Sequence, residues 1–268
     1  MTTYRIDLAY DGTGFRGWAR NAGVRTVQGE IERALAAVLQ TEVALSVAGR
    51  TDAGVHARHQ VASFTVGAVI DIVAVVRSLR TMLGAEVSIH DLQPVADDFD
   101  ARFSAVRRSY RYFIDEASHH DPLRARWVWH LGETLDVDAM NRAAAALVGA
   151  HDFASLCRAA EGGTTERTVE HAHWEREGQE PVSLQPSAVS LERVLGIGYR
   201  ASGDLLVFSV SAKAFCHQMV RSMVALCVDV GRGRIRADIV PGILEQKDRN
   251  AARGVAPPHG LVLWGVEY

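Results

Sequence analysis

The order of hydrophobic periodicities along the chain constrains its fold more than any other feature. Helical spacing of apolar residues follows two candidate N-caps, Thr26 and Asp71. Strand-like segments occupy residues 3–10, 43–48, 60–66 and 86–92. The predicted order is β-α-β-β-α-β, which is the order of a split-βαβ or ferredoxin-like unit.

The second half of the chain repeats this order loosely. Strands are predicted near residues 109–115, 167–175, 193–200, 204–210 and 261–268, and helices near 138–148, 214–230 and 236–246. Residues 177–190 are rich in Gly, Pro, Ser and Gln, which predicts an exposed loop. The expected class is α+β, with one ferredoxin-like domain in residues 1–105 and a second in residues 106–268.

Composition narrows the class of protein. The 268 residues are 48% hydrophobic and 23% charged, and no run of eighteen apolar residues or N-terminal signal region occurs. The three cysteines are scattered and form no CxxC pair, so neither a disulfide framework nor a cysteine zinc site is expected. A soluble protein of a reduced cytoplasmic compartment fits these features.

The net charge of -3 by itself disfavours binding to nucleic acid, because such domains are usually basic. Residues 101–126 depart from this average, with six arginines against three acidic residues. This segment is either a nucleic-acid surface or an ordinary solvated face, and charge alone favours the second.

A glycine-rich loop follows the first strand. Residues 12–17 spell GxGxxG, but the next helix begins too late for its amides to meet a pyrophosphate, so a nicotinamide site is not favoured. An aspartyl-phosphate hydrolase is also disfavoured, because Ala9 stands where its nucleophilic aspartate is needed. The loop carries Phe15, Arg16 and Trp18, which either touch RNA or belong to a simple turn.

Histidine pairs with ligand-like spacing do not predict a metal site. No acidic or thiol partner completes a ligand set in the sequence around them. The pairs are His56 with His59, His119 with His120, and His171 with His173.

The segment 48–57, AGRTDAGVHA, is the strongest candidate for a site. Its glycines permit a tight loop between two predicted strands, and Arg50 places a positive charge near Asp52. Such a charge keeps a carboxylate ionised and available as a nucleophile, although an Arg-Asp turn pair is more often structural.

This segment resembles the signature of the TruA-type tRNA pseudouridine synthases. Six further segments match that family in the same order along the chain. They are YDGTGFRGW at 10–18, TVQGEIERAL at 26–35, DARFSAVRRSYRY at 100–112, GAHDF at 149–153, FCHQMVRSMV at 215–224 and PPHGLVL at 257–263.

The resemblance implies a pseudouridine synthase fold, in which two ferredoxin-like domains pack around a central cleft. It implies conversion of uridine to pseudouridine at about positions 38 to 40 of the tRNA anticodon stem-loop, without cofactor or metal. It also implies a homodimer that binds tRNA. The rivals are a catalytically inactive RNA-binding protein, which would not need the catalytic residues, and a nicotinamide enzyme.

The resemblance also assigns roles to residues. Asp52 is the implied nucleophile, attacking either C1′ or the uracil ring, and Arg221 pairs with it. Tyr110 stacks on the target base and is a candidate acceptor of the C5 proton, while Arg50 displaces the base and Leu261 lines the pocket. Departures from the family pattern occur at Ala19, Asn21, Cys216 and the long segment 177–200.

Overall fold

The computed structural model describes residues 1–158, 163–177, 205–252 and 254–268. The strands are β1 (Thr2–Tyr10), β2 (Ser46–Val47), β3 (His56–Val66), β4 (Val87–Val95), β5 (Arg107–Asp115), β6 (Trp129–His130), β7 (Gly149–Asp152), β8 (Glu166–Glu177), β9 (Leu205–Ala212) and β10 (Leu261–Glu267). The helices are α1 (Val27–Leu39), α2 (Ile72–Leu83), α3 (Val137–Ala145), α4 (Met219–Gly231) and α5 (Val240–Glu245).

All ten strands of the described residues belong to one sheet. Its order is β4-β1-β3-β10-β5-β9-β8-β7, with β2 beside β3 and β6 beside β5. The parallel pairing of β10 with β3 joins the N-terminal strands to the C-terminal ones. The α+β class is therefore confirmed.

Each half of the chain contains the predicted β-α-β-β-α-β order. Strands β4, β1, β3 and β2 lie side by side with helices α1 and α2 between them in sequence. Strands β10, β5, β9 and β8 repeat that arrangement with α3 and α4. The division at residue 105 stays a prediction, because the two halves share one continuous sheet.

The helix N-caps follow the sequence pattern. The Thr26 hydroxyl accepts a hydrogen bond from the Gly29 amide at 3.2 Å, and the Asp71 carboxylate accepts one from the Ala74 amide at 3.0 Å. Each bond satisfies an amide that has no partner within its own helix, which fixes where the helix begins.

Two features of the structure differ from the sequence prediction, namely the beginning of one helix and the presence of two short strands. Helix α4 begins at Met219 instead of residue 214, because its N-cap residue Gln218 has a left-handed backbone that interrupts a right-handed helix. The short strands β6 and β7 were not predicted, since two to four residues carry too little periodicity. The predicted strand 193–200 and nearly all of the predicted loop 177–190 lie outside the described residues.

The core lies on one face of the sheet. Side chains such as Tyr4, Ile6 and Leu8 alternate along β1 and are fully buried, and they belong to the same hydrophobic cluster as the apolar faces of α1 to α4. Arg5 and Asp7 point from β1 to the opposite face, where they are partly exposed. Among the described residues no helix is long and apolar enough to span a bilayer.

Candidate active site

A large cleft opens beside the centre of the sheet. Its volume is about 2250 Å³, several times that of an ordinary small-molecule pocket. Residues from both halves of the chain line it, and among the described lining residues eight are Arg or Lys and four are Asp or Glu. The cleft is thus locally basic although the chain is acidic overall, which suits a polyanion larger than a small cofactor.

The loop between β2 and β3 carries Asp52 into this cleft. Three hydrogen bonds from neighbouring elements hold the loop. The Tyr10 hydroxyl is 2.7 Å from the Thr51 hydroxyl, the Gln60 amide donates to the Gly49 carbonyl, and the Trp18 backbone N–H donates to the Thr51 carbonyl. The loop is therefore rigidly placed relative to β1 and β3.

The glycine-rich first loop packs directly against the Asp52 loop. A Cβ on Gly12 would lie 2.1 Å from the Val55 carbonyl oxygen, and Gly17 has a φ of +96° beside the Thr51 carbonyl. These glycines allow the backbone of the first loop to approach the backbone of the Asp52 loop closely. They do not form a dinucleotide site, because no α-helix begins before Val27.

The expectation that Phe15 and Trp18 touch RNA is corrected by their burial. Phe15 is 2% exposed under the guanidinium of Arg25, and Trp18 is 0% exposed. Both rings instead pack the first loop into the core. Arg16 is exposed at the cleft and is the only one of the three predicted contact residues that a nucleic acid could reach.

Two side chains hold opposite oxygens of the Asp52 carboxylate. Arg221 Nη1 donates to Oδ2 at 2.8 Å, and His217 Nε2 lies 3.3 Å from Oδ1. The Arg221 side chain is 13% exposed and that of Asp52 is 21% exposed, so water screens this ion pair only partly. The arrangement places a guanidinium beside one oxygen of Asp52 and an imidazole beside the other.

Arg221 is itself fixed in position. It projects from the first turn of α4, and its Nε donates to the Ala256 carbonyl at 2.7 Å. The Ala256 amide returns a hydrogen bond to the Arg221 carbonyl. The predicted pairing of Asp52 with Arg221 is therefore present in the structure, between residues 169 positions apart in sequence.

Tyr110 faces the cleft from β5. Its ring meets Phe215 edge to face with centroids 5.2 Å apart, and its hydroxyl lies beside Gly49. Burial raises the pKa of Tyr110, so the hydroxyl is protonated at neutral pH. The first residue of β10, Leu261, also lines the cleft and pairs in register with Tyr112.

Arg50 stands at the rim of the same cleft. It is exposed, and within the described part of the chain no hydrogen bond or ion pair occupies its guanidinium. A free cation at this position can meet a phosphate or a base of a bound nucleic acid. The structure thus brings Arg50, Asp52, Tyr110, Arg221 and Leu261 to one cleft.

The predicted arginine cluster at 101–126 does not form one basic surface. Arg107 pairs with Glu170 and Glu267, and Arg111 pairs with Glu177. Arg108 is buried and donates to the carbonyls of Ala48, Arg102, Ala105 and Lys213. Sequence reasoning missed this structural role, because the carbonyls that Arg108 serves become neighbours only in the fold.

Sequence reasoning also missed His217. The only available signal was its place in FCHQMVRSMV, four residues before Arg221. The histidine pairs considered from the sequence form no metal-binding cluster among the residues that the structure describes. His56 instead is buried, and its two ring nitrogens meet the Gly12 amide and the Arg126 carbonyl.

The whole chain is similar to proteins of one known family. A family model described as tRNA pseudouridine synthase matches residues 143–268. Over the full chain, proteins named tRNA pseudouridine synthase A are 40% identical in Bifidobacterium longum, 42% in Frankia casuarinae and 40% in Moorella thermoacetica. The alignments cover 94%, 90% and 100% of those relatives. The chain belongs to the tRNA pseudouridine synthase A family of isomerases.

Proposed function

We propose that this enzyme converts uridines at about positions 38 to 40 of the tRNA anticodon stem-loop to pseudouridine, with Asp52 as the nucleophile. The observation that carries the proposal is the Asp52 carboxylate, held by Arg221 at 2.8 Å in a basic cleft of macromolecular size. We also propose a cytoplasmic location, which the three free cysteines fit.

The reaction is an isomerisation. The N1–C1′ bond of uridine breaks, a C5–C1′ bond forms, the C5 proton leaves and N1 gains a proton. The substrate is neither oxidised nor reduced, because the product is its isomer. The proposed chemistry therefore calls for no redox cofactor. The Asp52 carboxylate, hydrogen-bonded by the Arg221 guanidinium, can attack either C1′ or the uracil ring.

The other cleft residues act on the base. A uridine in a stem-loop must leave its stack before the glycosidic bond becomes accessible, at a cost of about a few kcal/mol. In this proposal Arg50 fills the space left by the base, Tyr110 stacks on it and Leu261 lines the pocket. Stacking on an aromatic ring recovers roughly 1–3 kcal/mol per base.

The Asp52→Asn variant tests the assignment of the nucleophile. Asparagine keeps the shape and the loop between Gly49 and Gly54, but it lacks the charge and the nucleophilic lone pairs of a carboxylate. We expect pseudouridine formation to be abolished, while tRNA binding and the melting temperature stay close to wild type. The readouts are tritium release from C5-labelled uridine in tRNA, a binding assay and a melting curve. Substantial turnover by the variant, free of wild-type contamination, would falsify the assignment.

The target position is tested separately. Pseudouridines are mapped by mass spectrometry in tRNA from cells that lack the gene and from cells in which it is restored. We expect pseudouridines near positions 38 to 40 to disappear and to return with the restored gene. Unchanged modification there, with loss at another position, would contradict the proposed target.

We propose further that the enzyme is a homodimer, and that the face of the sheet opposite the cleft is its contact surface. Phe113 and Trp264 lie on this face, opposite the cleft, and line an apolar groove of about 610 Å³. Leu123 and Trp127 stand over the groove and are 76% and 59% exposed. Exposed apolar side chains grouped in this way favour a protein contact.

Light scattering at micromolar concentration measures the oligomeric state. We expect a dimer for the wild type, and a monomer for Leu123→Asp and Trp127→Asp because each places a charge in the apolar contact. Val73 is equally exposed but lies on α2, away from the groove, so Val73→Asp is the matched control. A wild-type monomer, or a dimer in both groove variants, would contradict this surface.

A further inference from the structure

The second partner of the Asp52 carboxylate is His217. Arg221 donates a hydrogen bond to Oδ2, whereas His217 Nε2 lies within ion-pair distance of Oδ1, at 3.3 Å, so the two side chains contact different oxygens of one carboxylate. We propose that His217 is a positioning residue, which fixes the plane of the Asp52 carboxylate for attack on the nucleotide. This inference rests on the proposed role of Asp52 as nucleophile.

The geometry explains why one donor is not enough. A carboxylate held through a single oxygen can still swing about its Cβ–Cγ bond. A second donor on the other oxygen removes that freedom, and a reacting group held in its productive direction reacts faster. The His217 side chain is 54% exposed whereas Arg221 is 13% exposed, so His217 stands on the open side of Asp52.

The backbone next to His217 has an unusual conformation. Gln218, the next residue and the N-cap of α4, has a φ of 64° and a ψ of 1°, a left-handed conformation that is uncommon for a residue other than glycine. Strained residues of this kind persist where the surrounding structure holds them, and they cluster at functional sites.

Two contacts from distant segments hold this conformation. Arg249 donates to the Gln218 side-chain oxygen at 2.7 Å, and the Arg158 amide donates to the His217 carbonyl at 3.3 Å. Residues 214–218 line the cleft directly before α4 begins. Consequently, His217 and Arg221 reach Asp52 from two sides.

The contact requires only an N–H on Nε2 of His217. A neutral ring with its proton on that nitrogen supplies it, as does a charged ring. Glutamine can place an amide N–H in a similar position, whereas phenylalanine keeps a ring and has no donor. His217→Gln and His217→Phe therefore separate the hydrogen bond from the bulk of the side chain.

The experiment measures kcat and KM for tRNA in both variants, with His90→Phe as control, because His90 is exposed on the edge strand β4. We expect His217→Phe to lower kcat roughly tenfold to a hundredfold with KM unchanged, the effect of losing one charge-assisted hydrogen bond. His217→Gln should restore most of the rate. Wild-type kcat in His217→Phe, or an equal loss in both variants, would overturn the proposal.

Gln218 provides a second, independent test. Gln218→Gly and Gln218→Val both lose the contact with Arg249, but only glycine adopts a φ of 64° without strain. We expect kcat of the valine variant to fall well below that of the glycine variant at equal tRNA affinity. Equal kcat values would mean that the left-handed turn does not serve the reaction.

Asp52→Asn in the same assay separates the two proposals. If Asp52→Asn is inactive while His217→Phe turns over normally, the positioning role is wrong and the nucleophile assignment stands. If Asp52→Asn stays active, Asp52 is not the nucleophile, and the proposed positioning role of His217 is wrong with it. Melting curves for all variants show whether a loss of kcat reflects unfolding.

Discussion

At the scale of single residues, Tyr110 combines a buried ring with a hydroxyl that reaches the catalytic loop. The side chain is 8% exposed, and burial raises the pKa of the hydroxyl, which stays protonated at neutral pH. A protonated hydroxyl can donate a hydrogen bond to the uracil or the sugar as charge develops, in addition to the stacking that the ring provides.

Tyr110→Phe separates these two roles. The ring remains for stacking, so tRNA affinity should change little, whereas the single-turnover rate should fall about a hundredfold, as for the loss of one positioned donor. Rapid-quench rates and binding constants are compared for the two proteins. An unchanged rate would remove the hydroxyl from the mechanism and leave only stacking.

His56 makes the stability of the fold depend on pH. Burial lowers the pKa of His56 more strongly than the nearby Asp11 raises it, and the pKa of the adjacent His259 is lowered for the same reason. The folded state therefore holds these rings neutral, while the unfolded chain binds protons at about pH 6.5. Stability should fall as the pH drops below about 6.5, because the unfolded state then binds more protons.

Thermal melts between about pH 7.5 and 5 measure this effect. Asp11 also has a lowered pKa, but a carboxylate of this kind loses its contribution only at more acidic pH, outside this window. We expect the melting temperature of the wild type to decline from about pH 6.5 downward, and that of His56→Gln to decline less. Parallel curves for the two proteins would show that His56 is not the group responsible.

At the scale of elements, the contact between the first loop and the catalytic loop depends on glycine. A Cβ at Gly12 would meet the backbone carbonyl of Val55, which has no flexible end that could move aside. Gly12→Ala should therefore shift the Asp52 loop and lower both kcat and the melting temperature. Gly67 has no neighbour within 4 Å of such a Cβ, so Gly67→Ala is the matched control and should behave as wild type. Equal effects of the two substitutions would refute the steric explanation.

Elements with long periodic patterns could be predicted from the sequence, and short or irregular ones could not. The N-caps at Thr26 and Asp71 involve only residues that are close in sequence. The beginnings of α1 and α2 therefore agree with the prediction. The beginning of α4 does not, because apolar residues continue before it while the left-handed backbone of Gln218, contacted by Arg249, stops the helix there. The burial of Phe15 and Trp18 could not be predicted either, because their loop pattern carries no signal of the core beneath it.

At the scale of the whole molecule, the site exists only because the two halves share one sheet. Strand β3, which follows the Asp52 loop, pairs with β10, and β10 pairs with β5, which carries Tyr110. The contact between Asp52 and Arg221 follows from this arrangement. The spacing of residues along one sequence cannot reveal such a distant contact. From the sequence alone, only the family resemblance connected Asp52 with Arg221.

The distribution of charge over the whole molecule predicts how tRNA binding responds to salt. The cleft carries exposed basic residues, among them Arg16, Arg50 and Lys213, while several arginines of the 101–126 segment are paired with acids elsewhere. Each phosphate contact releases counterions, so log K should fall with log salt concentration by about 0.9 per contact on duplex and 0.7 on single strands.

Fluorescence anisotropy of labelled tRNA at several salt concentrations measures this slope. We expect Arg16→Gln and Arg50→Gln each to weaken binding and to reduce the slope by about 0.7 to 0.9, one contact apiece. Arg77 is exposed on α2 and does not line the cleft, so Arg77→Gln should leave the slope unchanged. A salt-independent affinity, or an equal loss of slope with Arg77→Gln, would place the tRNA outside this cleft.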